Sequence, residues 1–292
     1  VIQLREIVDQ VSELPPLPST SVRLLGVINN PMASIEDIVE VIRYDQALTT
    51  NVLKLCNSSY FGLSRQVTSL NDALVCLGTV KVLQLVLALH TNALLQSPQD
   101  GYGLEAGMLW KHSVAVALAS AHFAKLVKHP NGNMAFTAGL LHDIGKVVLG
   151  QKVAEEYARI IMLVTEHKRA FVEAEREILG FDHTEVGALL AERWKLPEKL
   201  VLCIRYHHTP SALDPPDPLV DTIYLANIVC LLLGIGLGAD GLCTRADPAV
   251  LRRYGLNEHD LESVGLAIVQ DMQEVTALFG ESRPAESTVA AR

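Results

Sequence analysis

Gly139-Leu140-Leu141-His142-Asp143-Ile144-Gly145-Lys146 sets an ionisable pair between two apolar runs. The stretch lies inside a proline-free segment, 131–196, whose apolar residues show no alternating strand pattern, so it predicts helix. Burying His142 and Asp143 without partners would cost several kcal/mol, on the order of a lost charged hydrogen bond or more, so a metal or strong hydrogen bonds should meet them. On a helix the two side chains stand about 100° apart, and the pair can serve two adjacent ions only from a helix that faces a cavity.

The same reasoning extends outward. Residues 32–97 and 219–247 are also free of proline. Ser34 with Asp37 resembles a capping box that opens a helix with Ile35, Ile38, Val39 and Ile42 on one stripe. Asn257 is the expected N-cap of a last helix carrying Leu261, Val264, Ile268, Val275 and Phe279 at helical spacing. The 73–89 run is apolar almost all round and predicts one buried central helix. The fold class is therefore all-α. Ser-Pro-Gln-Asp-Gly-Tyr-Gly at 97–103 gathers turn formers and divides the chain into an N-terminal helical lobe, 1–96, and a second lobe, 104–280. The second lobe holds all the candidate site residues. A four-proline stretch at 209–218 reads as a loop, and 281–292 as a disordered tail.

Composition narrows the function. A formal charge of −9, with basic clusters no longer than His167-Lys168-Arg169 and Arg252-Arg253, argues against a nucleic-acid partner; such short runs are ordinarily solvated helix ends. No uninterrupted apolar segment reaches the ~20 residues of a membrane span, and no signal peptide opens the chain. The five cysteines, Cys56, Cys76, Cys203, Cys230 and Cys243, are scattered without a Cys-x-x-Cys pair and read as buried free thiols in a reducing compartment. The expected location is cytoplasmic. Beginning at Val1 in place of Met, the chain reads as a processed or trimmed product.

Further histidines can join His142 and Asp143: His112 upstream, and His183 with the doublet His207-His208 downstream. Imidazoles and a carboxylate suit one or two ions of iron, zinc or manganese. Other signals are weaker. Leu-Pro-Pro-Leu-Pro (14–18) suits either a packed helix entry or a polyproline ligand, and Asn57-Ser58-Ser59 with Tyr60 either turn capping or a pocket wall. Glu185, two residues after His183, is a candidate outer partner of that histidine or a solvated residue.

The motif at 139–146, with Leu-Trp-Lys-His-Ser-Val-Ala-Val-Ala at 109–117, resembles the core of the HD superfamily of helical, metal-dependent phosphohydrolases. Leu-Pro-Pro-Leu-Pro (14–18), Tyr-Asp-Gln-Ala-Leu-Thr (44–49), Leu-Cys-Asn-Ser-Ser-Tyr-Phe-Gly (55–62) and Ala-Leu-Val-Cys-Leu-Gly (73–78) are similar to one branch of it, the HDOD (HD-related output) domains of bacterial signalling proteins. The resemblance runs from about residue 10 to about 275. It implies an HD-type helical bundle in the second lobe, signalling protein partners, and usually no known catalysis.

By similarity to the related HD-GYP phosphodiesterases, His112, His142 and Asp143 belong to a first metal position. Asp143, His183 in His-Thr-Glu-Val-Gly and His207-His208 belong to a second. Three departures tell against catalysis. The distal aspartate of the first position aligns with Asn227, a neutral and weaker ligand; Thr-Pro-Ser-Ala replaces the Gly-Tyr-Pro segment after the doublet; and Met108 stands where some relatives carry a glutamate. Lys146 falls three residues after Asp143, on the same helical face, suited to an ion pair with it; in active relatives the equivalent lysine contacts a substrate phosphate. The preferred expectation is a signalling domain that works by protein or ligand binding, its metal site structural or sensory. The competing expectation is a phosphohydrolase acting on a nucleotide or cyclic dinucleotide, with Asp143 and Lys146 as its catalytic residues and a small phosphorylated ligand. A third is a metal-free scaffold whose histidines are relics.

Overall fold

The computed structural model describes residues 23, 26–27, 34–42, 46–57, 66–129, 131–236, 238 and 247–279. Among them the regular structure is helical and no strand forms; the nearest approach to one is an isolated backbone bridge between Gln99 and Leu104. The Leu-Pro-Pro-Leu-Pro stretch, Ser58–Tyr60, Cys243 and the 281–292 tail lie outside the described residues.

Among the described residues, four helices with described bounds precede the link: α1 (Ile35–Ile42), α2 (Gln46–Cys56), α3 (Leu70–Leu77) and α4 (Thr79–Leu95). The capping box forms as expected: Ser34 N–H donates to Asp37 Oδ2 (2.8 Å) and Asp37 N–H to Ser34 Oγ (3.2 Å), with Ile38 and Ile42 buried. Asn57 caps the chain after α2, its amide donating to the Leu53 and Val67 carbonyls while its Oδ1 accepts from Val67 N–H. The expectation of a single buried helix over 73–89 needs correction. Gly78, at φ +81° and ψ 155°, splits the run into α3 and α4, a backbone conformation open essentially to glycine alone. Nor is the run buried all round, since Val75 is 73% exposed.

Residues 97–103 build a single 3₁₀ turn (Asp100–Tyr102) with Gly101 and Tyr102 buried. Among the described residues nine α-helices follow: α5 (Met108–Leu126), α6 (Gly132–Leu141), α7 (Gly145–Thr165), α8 (Phe171–Leu179), α9 (His183–Arg193), α10 (Glu198–Tyr206), α11 (Pro218–Leu232), α12 (Pro248–Tyr254) and α13 (Glu258–Phe279). The helix buried on every side is α11, between the four-proline loop and 233–236; from Leu219 to Leu231 every residue is buried. No helix among the described residues is long and apolar enough to cross a membrane. Asn257 caps α13 as expected, its Oδ1 accepting from Asp260 N–H, and Val264 and Ile268 are buried.

One continuous apolar core runs from Ile38 to Met272 through the helices on both sides of the link. Helix α5 is its axis, packed against α6, α11 and α13. Two polar ties brace it: His122 of α5 meets Asp271 of α13 (2.9 Å), and buried Asp221 of α11 accepts from Arg253 and from the Tyr254 hydroxyl (2.7 Å). Arg252 and Arg253 are exposed in the last turn of α12, as their short basic cluster suggested, and Arg253 also pairs with buried Asp221. Cys56, Cys203 and Cys230 are buried free thiols, while Cys76 is half-buried.

Gly78→Ala should lower the unfolding free energy by about 1–3 kcal/mol through backbone strain alone, because the added Cβ would meet nothing within 4 Å. A shifted urea midpoint at unchanged m-value is the expected readout.

Candidate metal centre

Three helix ends and two helix faces meet around Asp143. His142 and Asp143 are not within a helix, as the sequence suggested, but in the tight turn between α6 and α7, where Ile144 N–H reaches back to Leu141 O (3.1 Å) and Lys146 N–H to Asp143 O (3.0 Å). His207-His208 likewise sit just past the end of α10. Bonds spanning three residues tighten the chain and turn both pairs towards the same interior point. His112 comes from α5, His183 from the first residue of α9 and Asn227 from α11. Helices α7 and α9 touch through glycines: a Cβ on Gly145 would fall 1.9 Å from His183 O and 2.7 Å from Gly187 N. Only glycine at 145 lets the backbone before Lys146 lie against the backbone of His183.

The Asp143 carboxylate sits between two sets of imidazoles. Its Oδ2 lies 3.3 Å from His142 Nε2 and 3.7 Å from His112 Nε2; its Oδ1 lies 3.4 Å from His183 Nε2 and 3.5 Å from His207 Nε2. His208 Nε2 is 3.2 Å from His183 Nε2. The structure thereby forms two ligand groups that share Asp143: His112, His142 and Asp143 in one, and Asp143, His183, His207 and His208 in the other. Asn227 Oδ1 is 3.0 Å from His112 Nε2, beside the first group. Lys146 Nζ pairs with Asp143 Oδ2 at 2.6 Å, the i,i+3 contact expected from spacing. His112, His142, Asp143, Lys146, His183, His207 and Asn227 are each no more than 3% exposed; His208 alone of the set is partly exposed.

Four imidazoles are held by their far nitrogens. The Nδ1 atoms of His112, His142 and His207 lie against the backbone carbonyls of Ile235 (2.9 Å), Gly139 (2.7 Å) and Ile204 (2.9 Å), and that of His183 against Glu175 Oε2 (2.6 Å). For His142, His183 and His207 this places the proton on Nδ1 and leaves the Nε2 lone pair directed inward, the tautomer a metal-ligating histidine requires; His112 faces acceptors at both ring nitrogens, Ile235 O and Asn227 Oδ1. His142 Nε2, His207 Nε2 and Asp143 Oδ1 are buried with no hydrogen-bond partner, which is costly unless something electrophilic meets them. The donor set fits a transition-metal ion at either position.

Two neighbours were not visible in the sequence. Glu175, on α8, is fully buried and takes the outer place beside His183 that Glu185 had suggested; Glu185 turns instead towards Arg176 (3.8 Å). Tyr102 donates its hydroxyl to Glu175 Oε1 (2.5 Å). Neither carries a motif, and no local signal in 97–103 or 171–179 points to the site.

Burial holds the His142 pKa down to about 4 against the raising pull of Asp143, and it lowers His207 and, more strongly, His208. Burial would raise the Asp143 carboxyl, but His142 and Lys146 outweigh it and keep it well below the usual range. At His183 burial lowers the value, yet the Glu175 carboxylate outweighs it and the net direction is up.

The family model for the HDOD domain matches residues 14–210. The chain belongs to the HDOD family. The matched span contains all the candidate ligands except Asn227. This HDOD chain is 32% identical over 242 residues to an uncharacterised protein of Treponema pallidum (strain Nichols), with 78% of the chain aligned but only 44% of that protein. Its fold is shared with an HDOD domain protein of unknown function from Geobacter sulfurreducens (TM-score 0.75, 26% identity, 95% of this chain and 99% of that one). It is shared also with a protein of Marinobacter aquaeolei VT8 described as a candidate signal transduction protein (TM-score 0.76, 26% identity, 96% and 61%). The chain thus spans under half of the Treponema relative and about three-fifths of the Marinobacter one.

Stability of the metal-free HDOD domain should fall with acid. A histidine whose folded pKa lies below its unfolded value takes up its proton only on unfolding, so stability is lost as pH drops from about 6.5 towards 4, on the order of 3 kcal/mol for His142 alone. His183 acts oppositely: its contribution is lost as pH rises above about 6.5 and is fully present below, so it leaves the slope of the acid window unchanged. Urea midpoints of chelator-treated protein should fall across this window; a flat profile would contradict the burial of these imidazoles.

Proposed function

We propose that this HDOD chain is a signalling domain that works by binding, and that it holds one or two ions of iron, zinc or manganese in a structural or sensory role. The observation that carries the reading is the set of inward Nε2 atoms, fixed by their Nδ1 bonds, around an Asp143 oxygen that has no other partner. His112, His142 and Asp143 would hold one ion, Asn227 contributing a weak neutral donor, and Asp143, His183, His207 and His208 the other. The Marinobacter relative, described as a candidate signal transduction protein, supports the signalling half of the proposal. The N-terminal helices, where Val75 stays exposed on α3, are the proposed surface for a protein partner in a cytoplasmic bacterial setting.

The balance between binding and catalysis turns on Lys146. Its ammonium is 2% exposed and committed to Asp143 at 2.6 Å, so it already occupies the charge that a phosphate would need it to offer. Asn227 in place of an aspartate weakens the first position further. These features favour a stabilising or sensing ion over turnover. A second reading, a phosphohydrolase acting on a nucleotide or cyclic dinucleotide, rests on the intact Asp143 bridge. When bound, a divalent ion would supply Lewis acidity there. Asp143 would anchor the ion and Lys146, released from its pair, would bind phosphate.

Protein purified without an affinity metal column should contain about one to two equivalents of metal or gain them on reconstitution. Chelation should lower its melting temperature, because an ion bound only by the folded state stabilises it by mass action. His207→Ala should lose both metal and the chelator effect. Turnover of phosphodiesters with added manganese or iron, abolished in Asp143→Ala, would replace the binding proposal with the phosphohydrolase; metal content below about a tenth of an equivalent after reconstitution would sink both.

A further inference from the structure

Of the four tethered imidazoles, His183 is held differently. The other three use neutral backbone carbonyls, whereas His183 is bound through Nδ1 to a carboxylate, Glu175 Oε2 at 2.6 Å, which also lies 3.4 Å from the His183 N–H. The second oxygen of that carboxylate is occupied too: Tyr102 donates to Oε1 at 2.5 Å. Glu175 and Tyr102 are both fully buried, so water does not compete for these bonds. An ionic acceptor on Nδ1 makes Nε2 a stronger donor and fixes the plane of the ring, where a backbone carbonyl does so more weakly.

Tyr102 makes more than one contact of this kind. Its ring stands edge-on to the His183 ring at 6.2 Å, tilts against Phe171 of α8 at 5.4 Å, and has Lys146 Nζ 5.5 Å from its centroid. One side chain therefore touches the outer partner of His183, the imidazole itself, and the ammonium that pairs with Asp143. It belongs to the 3₁₀ turn in the link 97–103, which joins α4 to the helices bearing the site.

We infer that Glu175 is the positioning residue of His183, that Tyr102 locks Glu175 in place, and that the 97–103 link is thereby joined to the second metal position. This rests on the metal-binding reading above. A shift of the link that withdrew the Tyr102 hydroxyl would free Glu175 to rotate and loosen His183, leaving His112 and His142 on their backbone acceptors. The link thus has a side-chain route to the second ion, distinct from the Trp110 Nε1–Ala88 O bond (3.1 Å) that ties α4 to α5 near His112.

The test compares full-length wild type, Glu175→Leu, Glu175→Gln and Tyr102→Phe in two measurements. The first is long-range ¹H–¹⁵N correlation of the His183 ring in metal-free protein, above its titration range. The second is manganese(II) titration followed by electron paramagnetic resonance. Wild type should show the proton on Nδ1. Glu175→Leu should lose that preference and bind the ion at the His183 position about 10–100-fold more weakly, with the other position unchanged. Glu175→Gln, whose amide oxygen still accepts from Nδ1–H, should stay within a few-fold of wild type, and Tyr102→Phe should fall between. An unchanged ring tautomer and affinity in Glu175→Leu overturns the inference. So does equal weakening at both positions with Glu175→Gln no better than Glu175→Leu, the pattern of a packing role. If wild type binds no manganese(II), iron(II) or zinc(II), the metal reading fails by itself, while the tautomer comparison still decides whether Glu175 positions His183.

Discussion

A single carboxylate organises the centre of this molecule. Asp143 directs one oxygen towards His112 and His142 and the other towards His183 and His207, while Lys146 pairs with the first. Five helical segments must deliver side chains to it within a few ångströms, and their packing can be read as the means of doing so. Helix α5 lies along the core because His112 must face inward; α7 and α9 touch glycine to glycine because Lys146 and His183 must approach the two oxygens of one carboxylate. The turn after α6 and the end of α10 are tight because helices alone would carry neighbouring side chains past the centre.

Much of this was legible in the chain. Proline-free segments, the Ser34 and Asn257 caps and the apolar stripes of the first and last helices reported local hydrogen bonding, which short sequence spans encode directly. The candidate ligands were legible too, because an ionisable pair in apolar surroundings needs a partner wherever it folds, and the other histidines stood in segments of matching pattern. What spacing could not convey was backbone detail: that Gly78 would break the 73–89 run, and that His142-Asp143 and His207-His208 would fall in turns. A periodic pattern is the same whether a helix continues or pauses for one residue.

The outer partners were illegible for another reason. Glu175 sits on α8 among Glu173, Arg176 and Glu177, where a reader sees a charged surface helix. Only the packing of α8 on α7 shows that its 175 face is interior. Tyr102, within a run of turn formers, looks like a linker residue until its hydroxyl is placed. Glu185 was a candidate for the place beside His183 or a solvated residue, and it is the latter: two residues along α9 turn it about 200° from that histidine, towards Arg176 and solvent. Outer contacts are made between segments, and sequence proximity carries little information about them.

Asn227 has a consequence for charge balance. With an amide there, the buried centre holds the carboxylates of Asp143 and Glu175 against the ammonium of Lys146, a balance of one negative charge. A single divalent ion reverses it to one positive, and a second leaves three positive charges in a region where water screens poorly. Each ion is therefore harder to admit than the last unless an anion enters with it. Were both positions filled, the excess positive charge would call for an anion beside it, which the neutral amide of Asn227 does not supply.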